Sequence, residues 1–190
     1  MSQIQVVLVR HGETEWSRDG RHTGTTDIPL TREGRKHAKA LGKILSGRSF
    51  LRVLASPMQR AIDTAKLAGY GDGLQIREDV SEWNYGDYEG ITTAQIRVER
   101  RDWSLWSDGC PEGETAADVG RRLDRVIAEI RDAGGDVAVF AHGHVLRVLA
   151  ARWVELPPAA GRAFGLDTAS ISVVGYERET PVILRWNRTA

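Results

Sequence analysis

The chain has 190 residues, near the size of one compact α/β domain, and its 41% hydrophobic and 27% charged residues exclude a mostly disordered protein. Lysine plus arginine number 26, as do aspartate plus glutamate, so the formal net charge is zero and a broadly basic nucleic-acid binder is excluded. The single cysteine, Cys110, excludes an intrachain disulfide framework and a zinc site built from several cysteines.

The first third of the chain carries two strand patterns, each followed by a helix pattern. Residues 6–9 form a continuous apolar, mostly β-branched run, typical of a strand buried on both faces in a parallel sheet. Thr31 precedes apolar residues at spacings of three and four, which predict a helix. Residues 51–55 predict a second strand. Residues 56–59 then match a helix start, with Ser56 as the cap and proline at the first helical position.

The middle of the chain differs from the regions on either side. Residues 80–110 are rich in loop-forming residues and carry several aromatic side chains among acidic residues and glycines. Thr115 and Asp118 then match a capping box, and the apolar residues after it recur at helical spacing. Two glycines at 134–135 are typical of a helix end. We therefore expect an irregular segment followed by a long amphipathic helix.

The last third of the chain returns to alternating strands and helices. Residues 137–141 predict a third buried strand, and residues 145–153 predict a helix that stops before two prolines. Residues 170–176 and 182–186 predict two late strands. Strands that alternate with helices indicate a mostly parallel sheet covered on both faces. The fold class is therefore α/β, a three-layer α/β/α sandwich with a mostly parallel central sheet, and residues 1–190 are expected to form a single domain.

Polar residues gather where three of the predicted strands end. Residues 10–12 (Arg-His-Gly) follow the first strand, residues 56–60 follow the second, and residues 142–144 (His-Gly-His) follow the third. In open parallel sheets, ligands bind beyond the carboxyl ends of the strands. Two histidines and two arginines are thus expected at one edge of the sheet, which indicates a ligand site there.

These residue types suit a phosphoryl group. The guanidinium groups of Arg10 and Arg60 match phosphate oxygens and stay charged at any workable pH. Arg60 also lies in the first turn of its predicted helix, where free backbone N–H groups favour an anion. A histidine attacks phosphorus well when a hydrogen bond holds its other ring nitrogen, which leaves one lone pair free. The set predicts a pocket for phosphoryl transfer.

The same residues carry a resemblance to a known family. Residues 8–14 (Leu-Val-Arg-His-Gly-Glu-Thr), with the pair His142-Gly143 far downstream, resemble the histidine phosphatase superfamily, in the branch that contains the cofactor-dependent phosphoglycerate mutases. The resemblance runs nearly end to end. Residues 82–90 and 140–147 are most similar to fungal sedoheptulose-bisphosphatase-type enzymes and to bacterial broad-specificity acid phosphatases.

The resemblance implies a catalytic role for five residues. His11 attacks phosphorus and becomes the phosphohistidine, while His142 lies opposite and stabilises charge in the transition state. Arg10 and Arg60 hold the non-bridging oxygens. Glu82 protonates the leaving alcohol and then activates water. The arginines supply the positive charge, so the resemblance implies neither a metal nor another cofactor. Other carboxylates near Glu82 in the sequence that could serve as the acid are Asp79, Asp87 and Glu89.

The resemblance also marks the substrate side of the site. Ser17 aligns with a phosphate-contacting position that is asparagine in the mutases. The remaining substrate-side residues are Thr23, Gly24, Trp83, Tyr85, Gly143, His144 and Arg147. His144 and Arg147 are placed to receive a second phosphate or a polar sugar. Residues 83–111 are expected to roof the pocket, although Trp103 and Trp106 are more typical of core packing than of ligand contact.

The expected activity is that of a phosphomonoesterase acting on small phosphorylated metabolites, with sugar phosphates or bisphosphates favoured. A phosphoglycerate mutase is the first alternative. The mutases are longer, with an insertion for which the segment between Gly90 and Gly113 has no room, and residues 83–84 (Trp-Asn) stand where they carry Arg-His. By analogy, these two differences favour the phosphatase.

Two alternatives come from other classes. His142 and His144 form an HxH pair that, with His11 and Glu82, could hold a divalent metal in a hydrolase. Two arginines in the same pocket argue against a cation there. A binding module that only senses a phosphorylated ligand is the other alternative, but such a module needs no nucleophile.

The sequence also bears on partners and compartment. No stretch approaches the roughly 18 apolar residues that cross a bilayer. Residues 1–10 lack the basic start and the long apolar run of a signal peptide. We therefore expect a cytoplasmic protein whose partner is a small phosphorylated metabolite, with no nucleic-acid or membrane partner. The pattern does not determine an oligomeric state.

Overall fold

A central six-stranded sheet organises the computed structural model, which describes residues 4–189. Its strands are β1 (Val6–Arg10), β2 (Arg52–Ala55), β3 (Leu74–Ile76), β4 (Val137–Ala141), β5 (Ser170–Glu177) and β6 (Thr180–Thr189). Their order is β3-β2-β4-β1-β5-β6. The four strands from β3 to β1 pair in parallel, whereas β5 and β6 are antiparallel to their neighbours. The predicted mostly parallel sheet is confirmed.

Helices cover both faces of this sheet. They are α1 (Glu15–Arg18), α2 (Arg32–Ile44), α3 (Gln59–Leu67), α4 (Thr93–Glu99), α5 (Leu105–Asp108), α6 (Ala116–Asp132) and α7 (Gly143–Trp153). Alternate residues of a strand point to opposite faces, so β1 contributes to two cores. Val6 and Leu8 pack in the core that contains α6 and α7, whereas Val7 and Val9 pack in the core that contains α2 and α3. The three-layer sandwich is therefore confirmed.

Burial on both faces explains the uninterrupted apolar runs of the two central strands. Every residue of β4 is buried, and so are the first four residues of β1. The register pairs Val6 with Val137 and Arg10 with Ala141, so the two strands end side by side. The chain turns polar at His11 and at His142 because the sheet ends there. The sheet thereby sets the position of both histidines.

Helix starts follow the predicted capping residues in two cases. The Thr31 side chain accepts a hydrogen bond from the backbone N–H of Gly34 at the start of α2, and Thr115 and Asp118 form the predicted capping box of α6. The two glycines follow the end of α6, and Gly134 has a φ of 76°, a left-handed conformation that glycine adopts at little cost.

The predicted start of α3 is wrong. Met58, not Ser56, is the N-cap residue, and no side chain caps this helix. Met58 keeps an extended backbone, with a ψ of 134°, so helical geometry begins only at Gln59. The hydroxyl of Ser56 lies 2.7 Å from Nε2 of His142 instead. Ser56, whose spacing matches a helix cap, is therefore hydrogen-bonded to His142 at the site.

The segment predicted to be irregular contains two short helices. No element was predicted at α1, α4, α5 or β3, each of which has seven residues or fewer. Such short elements carry too few positions to show a clear periodicity. Thr92 and Gln95 form a capping box at α4, which is the local signal for that helix. None of the described helices is long and apolar enough to cross a membrane.

Candidate active site

A cavity of about 320 Å³ opens at the carboxyl edge of the parallel strands. The ends of β2, β4 and β1 lie next to one another there because these strands are neighbours in the sheet. Nine residues predicted for the site line the cavity: Arg10, His11, Ser17, Thr23, Glu82, Tyr85, Gly143, His144 and Arg147. Four other predicted residues are buried and do not line it: Gly24, Arg60, Trp83 and His142.

His11 is held in one tautomer by the backbone. Its Nδ1 lies 2.7 Å from the carbonyl oxygen of Gly12, which can only accept, so Nδ1 carries the proton and donates it. Burial, and next the positive charges of Arg60 and Arg10, hold the pKa of His11 well below its ordinary value. The neutral ring therefore has its lone pair on Nε2. This is the state that a histidine nucleophile requires.

Arg10 brings a half-buried charge with an unused donor to the same place. Its Nη1 donates to the carbonyl oxygen of Leu166. Its Nε is buried and has no hydrogen-bond partner among the residues that the structure describes. Burying a charged donor without a partner is costly, so this atom indicates a place for an anion. A Cβ at Gly143 would lie 3.3 Å from the Arg10 guanidinium, and glycine at that position leaves room for the group.

Arg60 and His142 form a buried pair behind His11. Nε of Arg60 donates to Nδ1 of His142 over 3.1 Å, and Nε2 of His142 lies 2.7 Å from the hydroxyl of Ser56. The remaining Arg60 hydrogen bonds go to the backbone carbonyls of Thr23, Gly24 and Thr26. The ring centroids of His142 and His11 are 5.1 Å apart. Arg60 thus anchors the loop beside the cavity and places its charge near His11.

The Glu82 carboxylate is positioned by three backbone N–H groups. Oε1 accepts from Trp83 and Val145, each over 2.9 Å, and Oε2 accepts from His144 over 3.0 Å. Two of these donors belong to the first turn of α7, where the helix dipole favours a carboxylate. Among the described residues that line the cavity, Glu82 is the one carboxylate.

The other carboxylates that the sequence left open have partners elsewhere. Asp79 bonds to Arg77 and Arg125, and Glu89 accepts from the backbone N–H groups of Gly24 and Thr26. Asp87 is exposed and does not line the cavity. None of these three is therefore placed as Glu82 is.

Some predicted substrate-side residues have structural hydrogen bonds. The hydroxyl of Ser17 bonds to both backbone groups of Thr14 in the capping box of α1, although Ser17 also lines the cavity. Trp83 is fully buried, and its Nε1 donates to the carbonyl oxygen of Glu114. The backbone of Gly24 bonds to Glu89. Trp83 and Gly24 thus shape the cavity from behind its surface.

One side of the cavity consists of rings, here called the aromatic wall: His22, Tyr85, Trp103, Trp106 and His144. Oη of Tyr85 lies 2.7 Å from Nδ1 of His144. Burial raises the pKa of Tyr85 and lowers the pKa of His144, so a neutral phenol is hydrogen-bonded to a neutral imidazole. The guanidinium of Arg147 stacks over the Trp106 ring at 4.7 Å and donates to the carbonyls of Gly161 and Arg162.

Sequence reasoning missed several lining residues. His22 adjoins the Thr23-Gly24 motif, and this adjacency was its only signal. Arg21 and Arg97 also line the cavity, but nothing in their spacing sets them apart from the chain's other exposed arginines. Trp103 and Trp106 combine the predicted packing role with a place on the cavity surface.

The histidine pair of the metal alternative is not arranged around a common point. Nδ1 of His142 accepts from Arg60, whereas Nδ1 of His144 is hydrogen-bonded to Oη of Tyr85. Across the described residues, no group of three or more His, Cys, Asp or Glu side chains is arranged to hold a metal ion. The geometry therefore gives the HxH pair separate hydrogen-bonding roles.

Comparisons with known proteins agree with one another. The family model described as Histidine phosphatase superfamily (branch 1) matches residues 6–189. An acid phosphatase of Mycobacterium tuberculosis is 44% identical over 180 residues, which are 91% of this chain and 87% of that protein. Sedoheptulose 1,7-bisphosphatase of Saccharomyces cerevisiae is 38% identical over 182 residues, 79% of this chain and 67% of that protein. A solved structure of a Mycobacterium tuberculosis open reading frame product has a TM-score of 0.92 at 41% identity and covers 98% of each chain.

Proposed function

The chain belongs to branch 1 of the histidine phosphatase superfamily, as its motifs predicted, and is a phosphoric monoester hydrolase; on this premise we propose that it hydrolyses small phosphorylated metabolites through a phosphohistidine on His11. Sugar phosphates or bisphosphates are the favoured substrates, and the reaction needs no metal ion. The observation that carries this proposal is the fixed tautomer of His11, whose Nε2 lone pair is free while Nδ1 donates to Gly12.

The reaction has two steps on this assignment. In the first step, which requires Glu82 in its protonated form, Nε2 of His11 attacks phosphorus, the ester P–O bond breaks, and Glu82 gives its proton to the leaving alcohol oxygen. In the second step, the Glu82 carboxylate takes a proton from a water molecule that attacks phosphorus. The P–N bond breaks, inorganic phosphate leaves, and His11 returns to its starting state.

Positive charge supports both transition states. Arg10 is assigned to the phosphate oxygens because its buried Nε has no partner among the described residues. Arg60 and His142 are bonded to each other behind His11. Because Nδ1 of His142 accepts from Arg60, the ring proton is on Nε2, where it faces the hydroxyl of Ser56. For His142 to donate to a phosphate oxygen, that oxygen must replace Ser56 as the acceptor. We therefore assign this pair to charge stabilisation.

The cavity favours a small substrate with polar groups. Its volume of about 320 Å³ suits a metabolite rather than a polymer. Besides Arg10, three arginines line the cavity: Arg21, Arg97 and Arg147. These charges favour a second anionic group, and Arg147 is fixed by Trp106 and two carbonyls. Sugar bisphosphates fit this distribution of charge.

Phosphate release from p-nitrophenyl phosphate in excess EDTA tests the proposal. The wild type is expected to keep its activity in EDTA, and His11→Ala is expected to lose it by roughly 10³-fold or more, because no other group replaces the nucleophile. His37→Ala is the matched control, since His37 is exposed on α2. Activity that disappears with EDTA and returns with a divalent metal would contradict the proposal. Net exchange between phosphoglycerates without phosphate release would instead indicate a mutase.

A further inference from the structure

His22 is a buried histidine on the cavity wall for which the proposed reaction has no use. Its backbone N–H and its Nδ1 both bond to the carbonyl oxygen of Ile91, over 3.0 and 2.9 Å. Its carbonyl oxygen accepts from the N–H of Gly90 over 2.8 Å. Because the Ile91 carbonyl can only accept, Nδ1 carries the proton. The neutral ring therefore has its lone pair on Nε2.

The Nε2 atom of His22 is free and accessible. No hydrogen bond to it occurs among the described residues, and the buried side-chain nitrogens without partners there are Nε of Arg10 and Nε of Arg131. Nε2 of His22 is not one of these fully buried nitrogens, so part of its surface is exposed. His22 also lines the cavity. The centroids of the Tyr85 and Trp103 rings lie 4.8 and 5.6 Å from that of the His22 ring, and these contacts fix the plane of the His22 ring. Burial lowers the pKa of His22, which keeps the lone pair available near neutral pH.

His144 supplies a second ring nitrogen beside His22. Its Nδ1 is hydrogen-bonded to Oη of Tyr85 over 2.7 Å, which leaves Nε2 as the ring nitrogen available to a ligand. This Nε2 also has no partner among the described residues, and the residue lines the same cavity. The centroids of the His22 and His144 rings are 6.5 Å apart. The fixed acceptor of His22 and the free Nε2 of His144 therefore lie close together, beside the Tyr85 ring.

We propose that His22 is a specificity-determining residue, whose Nε2 accepts a hydrogen bond from a substrate hydroxyl while Nε2 of His144 bonds to the same hydroxyl or a neighbouring one. A hydroxyl group both donates and accepts, so it satisfies the pair, whereas an alkyl chain leaves both nitrogens unpaired and desolvated. The subsite selects a polyhydroxylated leaving group. This inference rests on the proposed function and names the groups that read the sugar.

The test uses two phosphate esters of five carbons, ribose 5-phosphate and n-pentyl phosphate, of which only the first has free hydroxyls. The measured quantity is the ratio of kcat/KM for the two esters. The wild type is expected to favour ribose 5-phosphate. In His22→Asn, the side-chain N–H can still donate to Ile91, but no acceptor remains at the Nε2 position, and the ratio is expected to fall about tenfold.

A second variant separates recognition from packing. His22→Gln places an amide oxygen near the Nε2 position and loses the Nδ1 donor, so it is expected to retain more of the ratio than His22→Asn does. His37→Asn, on the exposed face of α2, is the control and is expected to keep the wild-type ratio. A His22→Asn variant that loses activity equally on both esters, or on neither, would overturn the inference, as would a wild type without preference for ribose 5-phosphate. A wild type that hydrolyses neither of these esters nor p-nitrophenyl phosphate would contradict the proposed function, and with it the inference.

Discussion

The two sides of the cavity are built from different kinds of structure. Around His11, the polar groups come directly after β1, β2 and β4, and buried hydrogen bonds hold them, such as the one from Arg60 to His142. The aromatic wall instead combines residues of the segments 20–24 and 82–106 with the first turn of α7. Its side chains pack ring against ring, as Tyr85 and His22 do, in addition to their hydrogen bonds.

This difference suggests a division of labour. Groups at the ends of buried strands are held in place by the sheet, which suits a reaction that needs accurate alignment of nucleophile and phosphorus. Loops tolerate changes in length and sequence, which suits the recognition of a particular leaving group. Changes near His11 should therefore reduce turnover of every ester, whereas changes in the aromatic wall should alter the preference among esters.

Glu82 connects the two sides, and its replacement gives the largest expected effect among the changes considered next. Glu82→Gln should lower kcat/KM about 10²- to 10⁴-fold for an alkyl phosphate, whose leaving oxygen needs a proton. The loss should be much smaller for p-nitrophenyl phosphate, because nitrophenolate leaves without one. Asp87→Asn, a neighbouring exposed carboxylate, is the control. An equal loss on both esters would contradict the assignment of Glu82 as the acid.

The buried histidines around His11 predict a pH dependence of stability. Burial is the first cause of the lowered pKa values of His11 and His142, which therefore stay neutral in the folded protein while the unfolded chain takes up protons below about pH 6.5. Stability is thus fully present above that pH. It should fall by about 1.4 kcal/mol per pH unit for each such histidine until the folded-state pKa is reached.

Urea denaturation at pH 7.5, 6.0 and 5.5 measures this dependence. The free energy of unfolding should drop across the series. The variant His11→Asn should drop less steeply than the wild type, and His37→Asn, which removes an exposed histidine, should keep the wild-type slope. A free energy of unfolding that stays constant down to pH 5.5 would show that the site histidines titrate as freely in the folded protein as in the unfolded chain.

Replacement of Arg147 is expected to have the smallest effect, and it tests whether residues at the aromatic wall set the preference among substrates. Arg147→Ala should lower the ratio of kcat/KM for fructose 1,6-bisphosphate to that for fructose 6-phosphate about tenfold, because the variant loses the charge fixed over Trp106. Arg162→Ala, on the exposed surface nearby, serves as the control. An unchanged ratio in Arg147→Ala would remove Arg147 from substrate recognition.

The sequence predicted the His11 side of the site far better than the aromatic wall. His11 and His142 were predictable because each directly follows an uninterrupted apolar strand, and a parallel sheet aligns such strand ends. His22 was missed because its position depends on a hydrogen bond to Ile91, 69 residues away, which no local pattern encodes. The contact of Arg147 with Trp106 likewise joins separate segments.

The hydrogen-bond partners inside the site were likewise not predictable from the sequence. The spacing of Ser56 matches a helix cap, yet its hydroxyl bonds to His142 because the chain stays extended through Met58. Arg60 was predicted from its motif and its place in a first helical turn, but its side chain bonds to backbone carbonyls and to His142. Such partners follow from the meeting of segments that are far apart in the chain, which only the folded structure defines.

The central claim is that His11 carries the phosphoryl group between the two steps, and trapping that intermediate tests it most directly. The enzyme would be mixed with excess p-nitrophenyl phosphate in EDTA and denatured within milliseconds in alkali, since a phosphorus–nitrogen bond survives base better than acid. Mass spectrometry of the peptides should then find one phosphoryl group on His11 in the wild type and none on the corresponding peptide of His11→Ala. A wild type that releases phosphate in EDTA, yet never carries phosphate on His11, would contradict the account.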